Sequence, residues 1–271
     1  MAFALGPAAR SAGYRLEAFE SIGSTNAEAL ARARAGERGP LWLVTPQQTA
    51  GRGRRDRPWM SPRGNLAASV VEVIDVAPPV AATLGFAAGL ALEQALQAVS
   101  LEARLRSPGS ADTVFTLKWP NDVLAGGRKL SGILLEAELV ASRELAVVVG
   151  IGVNVVAAPE GTPYPAAALH SLGIHVGAEE LFGALSDAWA RLRAVWDNGR
   201  GFGEIRQLWL ERASGLGQPV SVKTGGATPL TGRFETIDET GCLIVLTDDG
   251  ARVPVTAGDV YFGAAASSGA T

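Results

Sequence analysis

The feature that most constrains the fold is a series of apolar segments in the middle of the chain, each of strand length and each followed by a short connection. Segments 113–119, 130–138 and 145–155 have this pattern, and Gly126 and Gly127 supply a turn before the second of them. Connections of a few residues join antiparallel neighbours, because a parallel crossover needs a dozen or more residues. We therefore expect an antiparallel or mixed sheet at the centre of the protein.

Segments with helical patterns lie on both sides of these strands in the chain. Thr25 and Glu28 have the spacing of a capping box and open an alanine-rich helix. Later patterns predict an apolar helix over 80–99, an amphipathic helix over 179–198 and a short helix over about 203–212. The predicted fold class is therefore α+β, with a mixed or antiparallel sheet and helices on one face.

The sequence pattern changes from residue 217 onward. Short strand-like segments, separated by glycine-containing turns, follow one another at residues 219–223, 232–237, 242–247 and 252–255. This pattern predicts a small all-β module, most simply a partly open barrel. The predicted domains are a larger unit over residues 14–214 and the small module over residues 217–263. Residues 1–13 are rich in Gly, Pro and Ala and are expected to fray.

Composition and charge exclude several classes of protein. The formal net charge of −3 argues against nucleic-acid binding through a broadly basic surface. The single cysteine, Cys242, excludes an intrachain disulfide and a cysteine-rich metal site. No apolar run approaches the roughly 20 residues needed to span a bilayer, and no N-terminal segment has the form of a signal peptide. We expect a cytoplasmic protein that does not associate with membranes.

Residues 51–59 form the most unusual polar stretch, which we call the arginine loop. It places four arginines within six positions, namely Arg52, Arg54, Arg55 and Arg57. Gly51, Gly53 and Pro58 argue against a helix and for a loop. Arginine presents a planar set of donors that matches two oxygens of a carboxylate or phosphate. The loop is therefore a candidate lid over an anionic ligand.

The remaining polar residues narrow the chemistry. The two histidines, His170 and His175, lie outside any nucleophile motif, and the sequence contains no G-x-S-x-G segment, P-loop or metal-ligand cluster. Cations and one obvious acid, Asp122, are instead concentrated in glycine-marked segments at predicted strand ends, which are residues 48–57, 118–132 and 150–154. Many cations without a nucleophile suit a reaction between two anions, such as a carboxylate attacking a nucleotide α-phosphate. From the residues alone, a protein that only binds a phosphate ligand is an open alternative.

Five motifs occur in the order seen in biotin protein ligases, and the chain resembles that family over about residues 20–155. They are Gly23-Ser-Thr-Asn26, the pattern Q-x-x-G-R-G-R-R-x-R-x-W from Gln48 to Trp59, Lys118-Trp-Pro-Asn-Asp122, Arg128-Lys-Leu-Ser-Gly-Ile133 and Gly150-Ile-Gly-Val-Asn154. The small β module is similar to the C-terminal domain of that family. The resemblance implies a class II synthetase-like catalytic domain and an SH3-like β-barrel. It also implies a two-step reaction in which ATP, with Mg²⁺, activates biotin to biotinoyl-5′-AMP before a protein lysine accepts the biotin.

Carried over motif by motif, the resemblance implies four groups of site residues. The biotin site would contain Ser24, Thr25, Asn26, Gln48, Gly51, Arg52, Lys129 and Gly132. ATP and the adenylate would contact Arg54, Arg55, Arg57, Trp59, Lys118, Asn121, Asp122 and Asn154. Lys129 and Arg54 would be catalytic, with Lys129 bridging the biotin carboxylate and the α-phosphate. Asp122 would hold the metal.

The partner implied by the resemblance is a biotin carboxyl carrier protein or domain of a biotin-dependent carboxylase. DNA is not an expected partner, because fewer than about 15 residues precede the first predicted strand, too few for a helix-turn-helix domain. The oligomeric state, monomer or homodimer, is left open. Two other functions are also open: a lipoate or octanoate ligase or transferase of the same fold, and a non-catalytic nucleotide-binding module.

Overall fold

The computed structural model describes residues 2–106, 112–162, 164–224 and 228–262 and contains two β-sheets. The larger sheet has seven strands, which are β1 (Arg15–Ala18), β2 (Leu41–Thr45), β3 (Leu66–Ile74), β4 (Phe115–Lys118), β5 (Asp122–Ala125), β6 (Arg128–Leu139) and β7 (Leu145–Val153). Their order across the sheet is β1-β2-β3-β7-β6-β5-β4. β1 and β2 are parallel and the other neighbours are antiparallel, so the sheet is mixed, as predicted.

The smaller sheet is built by the C-terminal module. Its strands are β8 (Pro219–Lys223), β9 (Leu230–Ile237), β10 (Leu243–Leu246), β11 (Arg252–Val255) and β12 (Asp259–Phe262). They are all antiparallel, in the order β11-β10-β9-β8-β12. One cluster of buried apolar side chains runs through the module and the larger domain. The domain limits 14–214 and 217–263 therefore stay a prediction.

The α-helices are distributed along the larger domain. The described residues form α1 (Pro7–Ser11), α2 (Thr25–Arg34), α3 (Pro78–Ala82), α4 (Leu84–Arg106), α5 (Ala178–Trp196) and α6 (Phe202–Leu210). The helix predicted to open at Thr25 is confirmed, but the capping box of Thr25 and Glu28 is wrong. Ser24 is the N-cap residue, its hydroxyl accepts from Ala27 N–H, and Glu28 pairs with Arg32 instead. The predicted amphipathic helix over 179–198 corresponds to α5.

Alternate residues of β2 show that helices cover both faces of the larger sheet. Leu41 and Leu43 face α2, whose Ala29 and Ala33 are buried. Trp42, between them, belongs to the core on the side of α4 and α5. The predicted α+β class is confirmed, but the placement of all helices on one face is wrong for α2. Its small buried side chains let it lie close against the second face.

Helices α3 and α4 together form the stretch Pro78–Arg106, which by length and composition alone could span a membrane. In the structure 72% of its most apolar window is buried inside the protein. This burial accounts for the apolar composition, as in the core helix of a globular protein. The stretch is interrupted at Thr83, whose hydroxyl donates to Val80 O at 2.7 Å and accepts from Trp196 Nε1 at 2.7 Å.

The elements that were not predicted include α1, β5 and β12. Helix α1 is fastened to α5, because Gly6 N–H donates to Ser186 Oγ at 2.9 Å and Ala9 N–H donates to Asp187 Oδ1 at 3.0 Å. The expected fraying of residues 1–13 is therefore wrong for this helix. β5 returns antiparallel to β4 immediately after Trp119 and Pro120. This hairpin brings two predicted site residues of the Lys118–Asp122 motif onto neighbouring strands.

Candidate active site

A cavity of about 650 Å³ opens where β3 and β6 begin and β7 ends. Its walls are the start of α2, the arginine loop, the β4–β5 turn, residues within 159–162 and 164–166, and β12 of the C-terminal module. Most of the predicted site residues line it, namely Ser24, Thr25, Asn26, Gln48, Arg52, Arg54, Arg57, Trp59, Lys118, Asn121, Asp122, Lys129, Gly132 and Asn154. Gly51 and Arg55 do not line it. The predicted residues are thus brought together, while their individual roles stay predictions.

One end of the cavity presents neutral polar groups at the start of α2. Thr25 donates to Gln48 Oε1 from its backbone N–H at 2.8 Å and from its hydroxyl at 3.1 Å. The Thr25 hydroxyl also lies 2.7 Å from that of buried Ser69, which donates to Asn26 Oδ1 at 2.6 Å. Ser24 Oγ caps the first turn of the helix at 3.4 Å. These side chains hold one another in place and offer donors and acceptors without charge.

Glu136 links this polar end to the arginine loop. Asn26 Nδ2 donates to Glu136 Oε2 at 2.8 Å and to Leu134 O at 3.1 Å. Arg52 Nη2 donates to both oxygens of the same carboxylate at 3.1 Å. Gly150 supplies the space for this arrangement, because an ideal Cβ there would lie 2.0 Å from Asn26 Oδ1. Asn26 at the start of α2 and Arg52 of the arginine loop therefore bind the same carboxylate.

Lys129 is on β6, which in the sheet lies between the strands that α2 packs against, β3 and β7, and the β4–β5 hairpin that carries Lys118 and Asp122. Its Nζ is 2.6 Å from Asp122 Oδ1 and 5.8 Å from the centre of the Trp59 indole. The backbone of Lys129 is fixed on both sides, because its N–H donates to Pro165 O at 2.8 Å and its carbonyl accepts from Ala167 N–H at 2.9 Å. The amine is therefore held in a defined position with a carboxylate as its partner.

Asp122 has a second lysine beside it. Lys118 is its cross-strand neighbour in the β4–β5 hairpin. The Lys118 amine lies 4.6 Å from the centre of the Tyr164 ring. Burial lowers the pKa of Lys118, while the charge of Asp122 acts in the opposite direction. This end of the cavity consequently concentrates positive charge around one carboxylate.

Arg54 adds a cation that has no carboxylate partner among the described residues. Its Nη1 donates to Asn121 Oδ1 at 3.0 Å. Asn121 is in turn fixed to β6, where its Nδ2 donates to Ile133 O at 2.8 Å and its carbonyl accepts from Ile133 N–H at 2.8 Å. Burial lowers the pKa of Arg54 and neighbouring Arg55 acts in the same direction, yet a guanidinium stays charged at neutral pH. A ligand phosphate is therefore a favourable partner for Arg54.

The arginine loop is folded as a small hairpin. Gly53 N–H donates to Arg57 O at 2.7 Å, and Trp59 N–H donates to Gly51 O at 2.9 Å. A 3₁₀ turn, Arg54–Asp56, forms its tip. The predicted non-helical loop is thus confirmed except for this turn.

The end of the loop lies against two glycines of the sheet. Gly132 and Gly152 are cross-strand partners in β6 and β7. An ideal Cβ would lie 3.2 Å from the Trp59 ring at Gly132 and 2.4 Å from Trp59 Nε1 at Gly152. The glycine pair therefore provides a flat surface on which the indole rests. That Trp59 contacts the adenylate stays a prediction.

Two buried oxygens in the cavity wall accept no hydrogen bond of regular geometry within the described residues. One is Asn154 Oδ1, whose amide nitrogen is occupied by Ala167 O at 3.2 Å. The other is Asp122 Oδ1, which Lys129 contacts closely as a charge without hydrogen-bond alignment. Unsatisfied buried acceptors are costly. Both oxygens are accordingly placed to receive a ligand donor or a cation.

Sequence reasoning missed several residues of the site, including Ser69, Glu136, Asp259, Tyr164 and Tyr261. Ser69 had a recognisable signal, because it is a hydroxyl within an otherwise apolar buried strand. Glu136 had a signal too, because Glu136 and Glu138 are two positions apart and therefore lie on the same face of the strand. In the structure Glu138 contacts Arg34 of α2. Asp259, which accepts hydrogen bonds from two arginines of the loop, had no local signal.

Comparison with known proteins identifies the family. Residues 19–154 match the biotin/lipoate A/B protein ligase family, and residues 215–263 match the biotin protein ligase C terminal domain. A biotin–[acetyl-CoA-carboxylase] ligase of Paracoccus denitrificans is 42% identical over 247 residues, which cover 89% of this chain and 97% of the relative. A ligase of the same name from Mycobacterium tuberculosis is 36% identical over 251 residues, which cover 91% and 88%.

Solved structures give the same result. The biotin protein ligase from Aquifex aeolicus in complex with biotin and ATP matches with a TM-score of 0.71 and 25% identity, covering 92% of this chain and 99% of that chain. The chain therefore belongs to the biotin protein ligases, within the biotin/lipoate ligase family. The family and the enzyme class predicted from the sequence motifs are confirmed.

Proposed function

We propose that this chain activates biotin with ATP to biotinoyl-5′-AMP and transfers the biotin to one lysine of a biotin carboxyl carrier protein or domain. The observation that carries the proposal is the division of one cavity into two chemically different ends with Lys129 between them. The neutral end, around Thr25 and Gln48, can pair with the ureido ring of biotin, which needs uncharged donors and acceptors. The cationic end, around Arg54 and Lys118, can hold the phosphates of ATP.

In the first step, a carboxylate oxygen of biotin attacks the α-phosphorus of ATP. A new P–O bond forms, the bond to the β-phosphate breaks, and pyrophosphate leaves. Two anions must approach each other, so a fixed positive charge at their meeting point lowers the barrier. Lys129 Nζ, fixed through its backbone, would supply this charge on exchanging Asp122 for the substrates.

In the second step, the neutral amine of the acceptor lysine attacks the acyl carbonyl of biotinoyl-5′-AMP. An amide bond forms, the acyl–phosphate bond breaks, AMP leaves, and the amine proton passes to water. Between the steps, the arginine loop with Arg54 would cover the reactive anhydride and exclude water. Asn154 Oδ1, an unsatisfied acceptor, would receive a donor from the adenine.

Mg²⁺ fits the residues at the cationic end. No group of three His, Cys, Asp or Glu side chains that could hold a metal occurs among the described residues. Mg²⁺ bound to nucleotides commonly uses only one or two carboxylates together with phosphate oxygens and water. Asp122, with an unsatisfied buried oxygen, would be the carboxylate. Bound there, the ion would screen the triphosphate charge.

The competing function is the activation of lipoate or octanoate, because the matching family includes lipoate ligases. Thr25 and Gln48 favour biotin, since its ureido ring can use the donors and acceptors that their mutual contacts leave over, whereas an aliphatic chain would cover these groups without adding a hydrogen bond. ATP as a substrate agrees with the cytoplasmic location that the sequence predicts.

The test of the function is biotin-dependent exchange of radiolabelled pyrophosphate into ATP by the purified chain. We expect exchange that requires Mg²⁺ and biotin, and that lipoate and octanoate do not replace. Exchange stimulated by lipoate or octanoate, and not by biotin, would overturn the proposal.

Arg54→Gly is expected to increase the escape of activated biotin. The substitution removes the contact between the loop and Asn121 and a cation facing the phosphates. Labelling of lysines on a bystander protein such as serum albumin should rise by about tenfold, a change of roughly 1.4 kcal/mol, which is near the lower end of the about 1.5–3 kcal/mol of a hydrogen bond to a charged group. Arg63→Gly, which removes an exposed arginine outside the cavity, is the matched control. Equal bystander labelling by both variants would remove Arg54 from the lid.

A further inference from the structure

Strand β12 of the C-terminal module presents two side chains to the cavity of the larger domain. Asp259 and Tyr261 are two positions apart and therefore project to the same side of the strand. Val260, between them, is 1% exposed and belongs to the apolar core. β12 is an edge strand, hydrogen-bonded to β8 on one side. The small module thus contributes part of the wall of a cavity whose other walls lie more than 90 residues earlier in the chain.

Asp259 contacts the arginine loop. Arg55 Nη1 and Arg57 Nη2 both donate to Asp259 Oδ2, at 2.9 Å and 2.7 Å. Burial acts to raise the pKa of Asp259, but the hydrogen bond and charge of Arg57 and the charge of Arg55 hold the pKa below its usual value. The carboxylate is therefore ionised at neutral pH. Arg54 contacts Asn121 instead, so the tip of the loop is held from two directions.

Tyr261 contacts a different wall. Its ring stacks on Tyr164, with centroids 5.4 Å apart and an interplanar angle of 30°. Tyr164 directly precedes Pro165, whose carbonyl accepts the hydrogen bond from Lys129 N–H. Lys118 Nζ lies over the Tyr164 ring. The stack therefore supports the segment that fixes the position of Lys129.

We propose that Asp259 and Tyr261 form a clasp, the β12 clasp, by which the C-terminal module holds two walls of the cavity around the acyl-adenylate. Asp259 is a positioning residue for the arginine loop, and Tyr261 is a positioning residue for Lys129. The inference rests on the proposed function. It also assigns Arg55 and Arg57 to holding the loop closed, whereas direct phosphate contacts would require both to leave Asp259.

The first test uses limited trypsin digestion of the full-length protein without substrates. Asp259→Asn keeps the shape of the side chain and removes the charge that pairs with Arg55 and Arg57. The loop should then open more often, and trypsin cleavage after Arg52, Arg54 and Arg55 should rise about fivefold. Mass spectrometry of the fragments measures the cleavage. Asp259→Glu should restore protection. Asp248→Asn is the control, because Asp248 is an exposed carboxylate of the same module that makes no ion pair within the described residues. Cleavage of Asp259→Asn at the wild-type rate would overturn the clasp.

The same variant is then compared with wild type in carrier and bystander labelling. We expect the ratio of bystander to carrier labelling to rise about fivefold in Asp259→Asn, and to rise also in wild type at high salt, which screens exposed ion pairs. A lower KM for ATP with an unchanged ratio would show instead that the freed arginines serve the phosphates, and would overturn the inference. Biotin-dependent pyrophosphate exchange by the wild type tests the proposed function independently. The digestion tests the clasp even if that function is wrong, because it requires no enzymatic activity.

Two substitutions separate the contribution of the Tyr261 ring from that of its hydroxyl. Tyr261→Ala should lower kcat for adenylate formation about tenfold with little change in KM for biotin, because it loosens the support of Lys129 and leaves the neutral end intact. Tyr261→Phe, which retains the stack, should recover most of the rate. Thermal unfolding measures whether both variants are folded. A folded Tyr261→Ala with the wild-type kcat would overturn the positioning role.

Discussion

Replacing Lys129 by alanine is expected to slow the formation of biotinoyl-5′-AMP by about 10²–10³-fold, the cost of removing one preorganised group that stabilises transition-state charge. Lys129 Nζ already lies 2.6 Å from a carboxylate oxygen of Asp122, so the position suits an anionic oxygen. Its backbone is fixed by Pro165 and Ala167, and the amine therefore needs little reorganisation at the moment of reaction. Single-turnover formation of the adenylate from biotin and ATP measures the effect.

Two comparisons separate this role from a structural one. Transfer of biotin to the carrier from chemically supplied biotinoyl-5′-AMP should fall much less than adenylate formation, because the two anions no longer have to be brought together. Arg63→Ala, at an exposed arginine outside the cavity, controls for the loss of a positive charge. If both half-reactions of Lys129→Ala fell equally with a lowered melting temperature, the ion pair with Asp122 would be structural. Near-wild-type adenylate formation would remove Lys129 from catalysis.

Gly150→Ala is expected to weaken biotin binding by at least about tenfold and to destabilise the protein by about 1–3 kcal/mol, the usual cost of overpacking. The new Cβ would lie 2.0 Å from Asn26 Oδ1. The strand has little freedom to move, because β7 is hydrogen-bonded to β3 and β6 on its two sides. Asn26 must therefore leave Ser69 and Glu136, and the polar end of the cavity loses its fixed geometry. Calorimetric titration with biotin and thermal unfolding measure the two effects.

A double substitution shows whether the cause is steric. Gly150→Ala combined with Asn26→Ala removes the colliding amide and should recover much of the lost stability, while biotin binding stays weak. Gly203→Ala is the control, since a Cβ there meets nothing within 4 Å and alanine favours a helix such as α6. Wild-type affinity and stability in Gly150→Ala would contradict the crowding of Asn26 by this strand.

Local patterns predicted the parts of the fold that depend on local chemistry. The predicted segments 219–223 and 252–255 became β8 and β11 with the same limits, and the helix predicted to open at Thr25 begins there. Most of the site residues could also be predicted from local patterns. Glycine-marked segments at the ends of strands meet at one edge of a sheet, so 48–57, 118–132 and 150–154 enclose one cavity.

The contacts that were not predicted join residues that are far apart in the chain. The face on which α2 lies is decided by the fit of Ala29 and Ala33 to the sheet, which no periodicity along the helix specifies. Asp259 resembles any other carboxylate near a turn in the sequence, and only folding brings it to Arg57. Glu136 is similar, because its partners come from two segments that are distant in the chain.

Chain order gives the last strand of the module a role in the timing of biosynthesis. Arg57 and Asp259 are 202 residues apart, and apart from Gly258 to Tyr261 the cavity is lined by residues up to 166. Domains generally fold as units, with the N-terminal one first during translation. The larger domain can thus assemble its sheet on the ribosome while its cavity still lacks one wall. A chain that lacks β12 would leave the cavity open on that side, so under the proposed clasp the reactive intermediate would be covered only after β12 has been made and released from the ribosome.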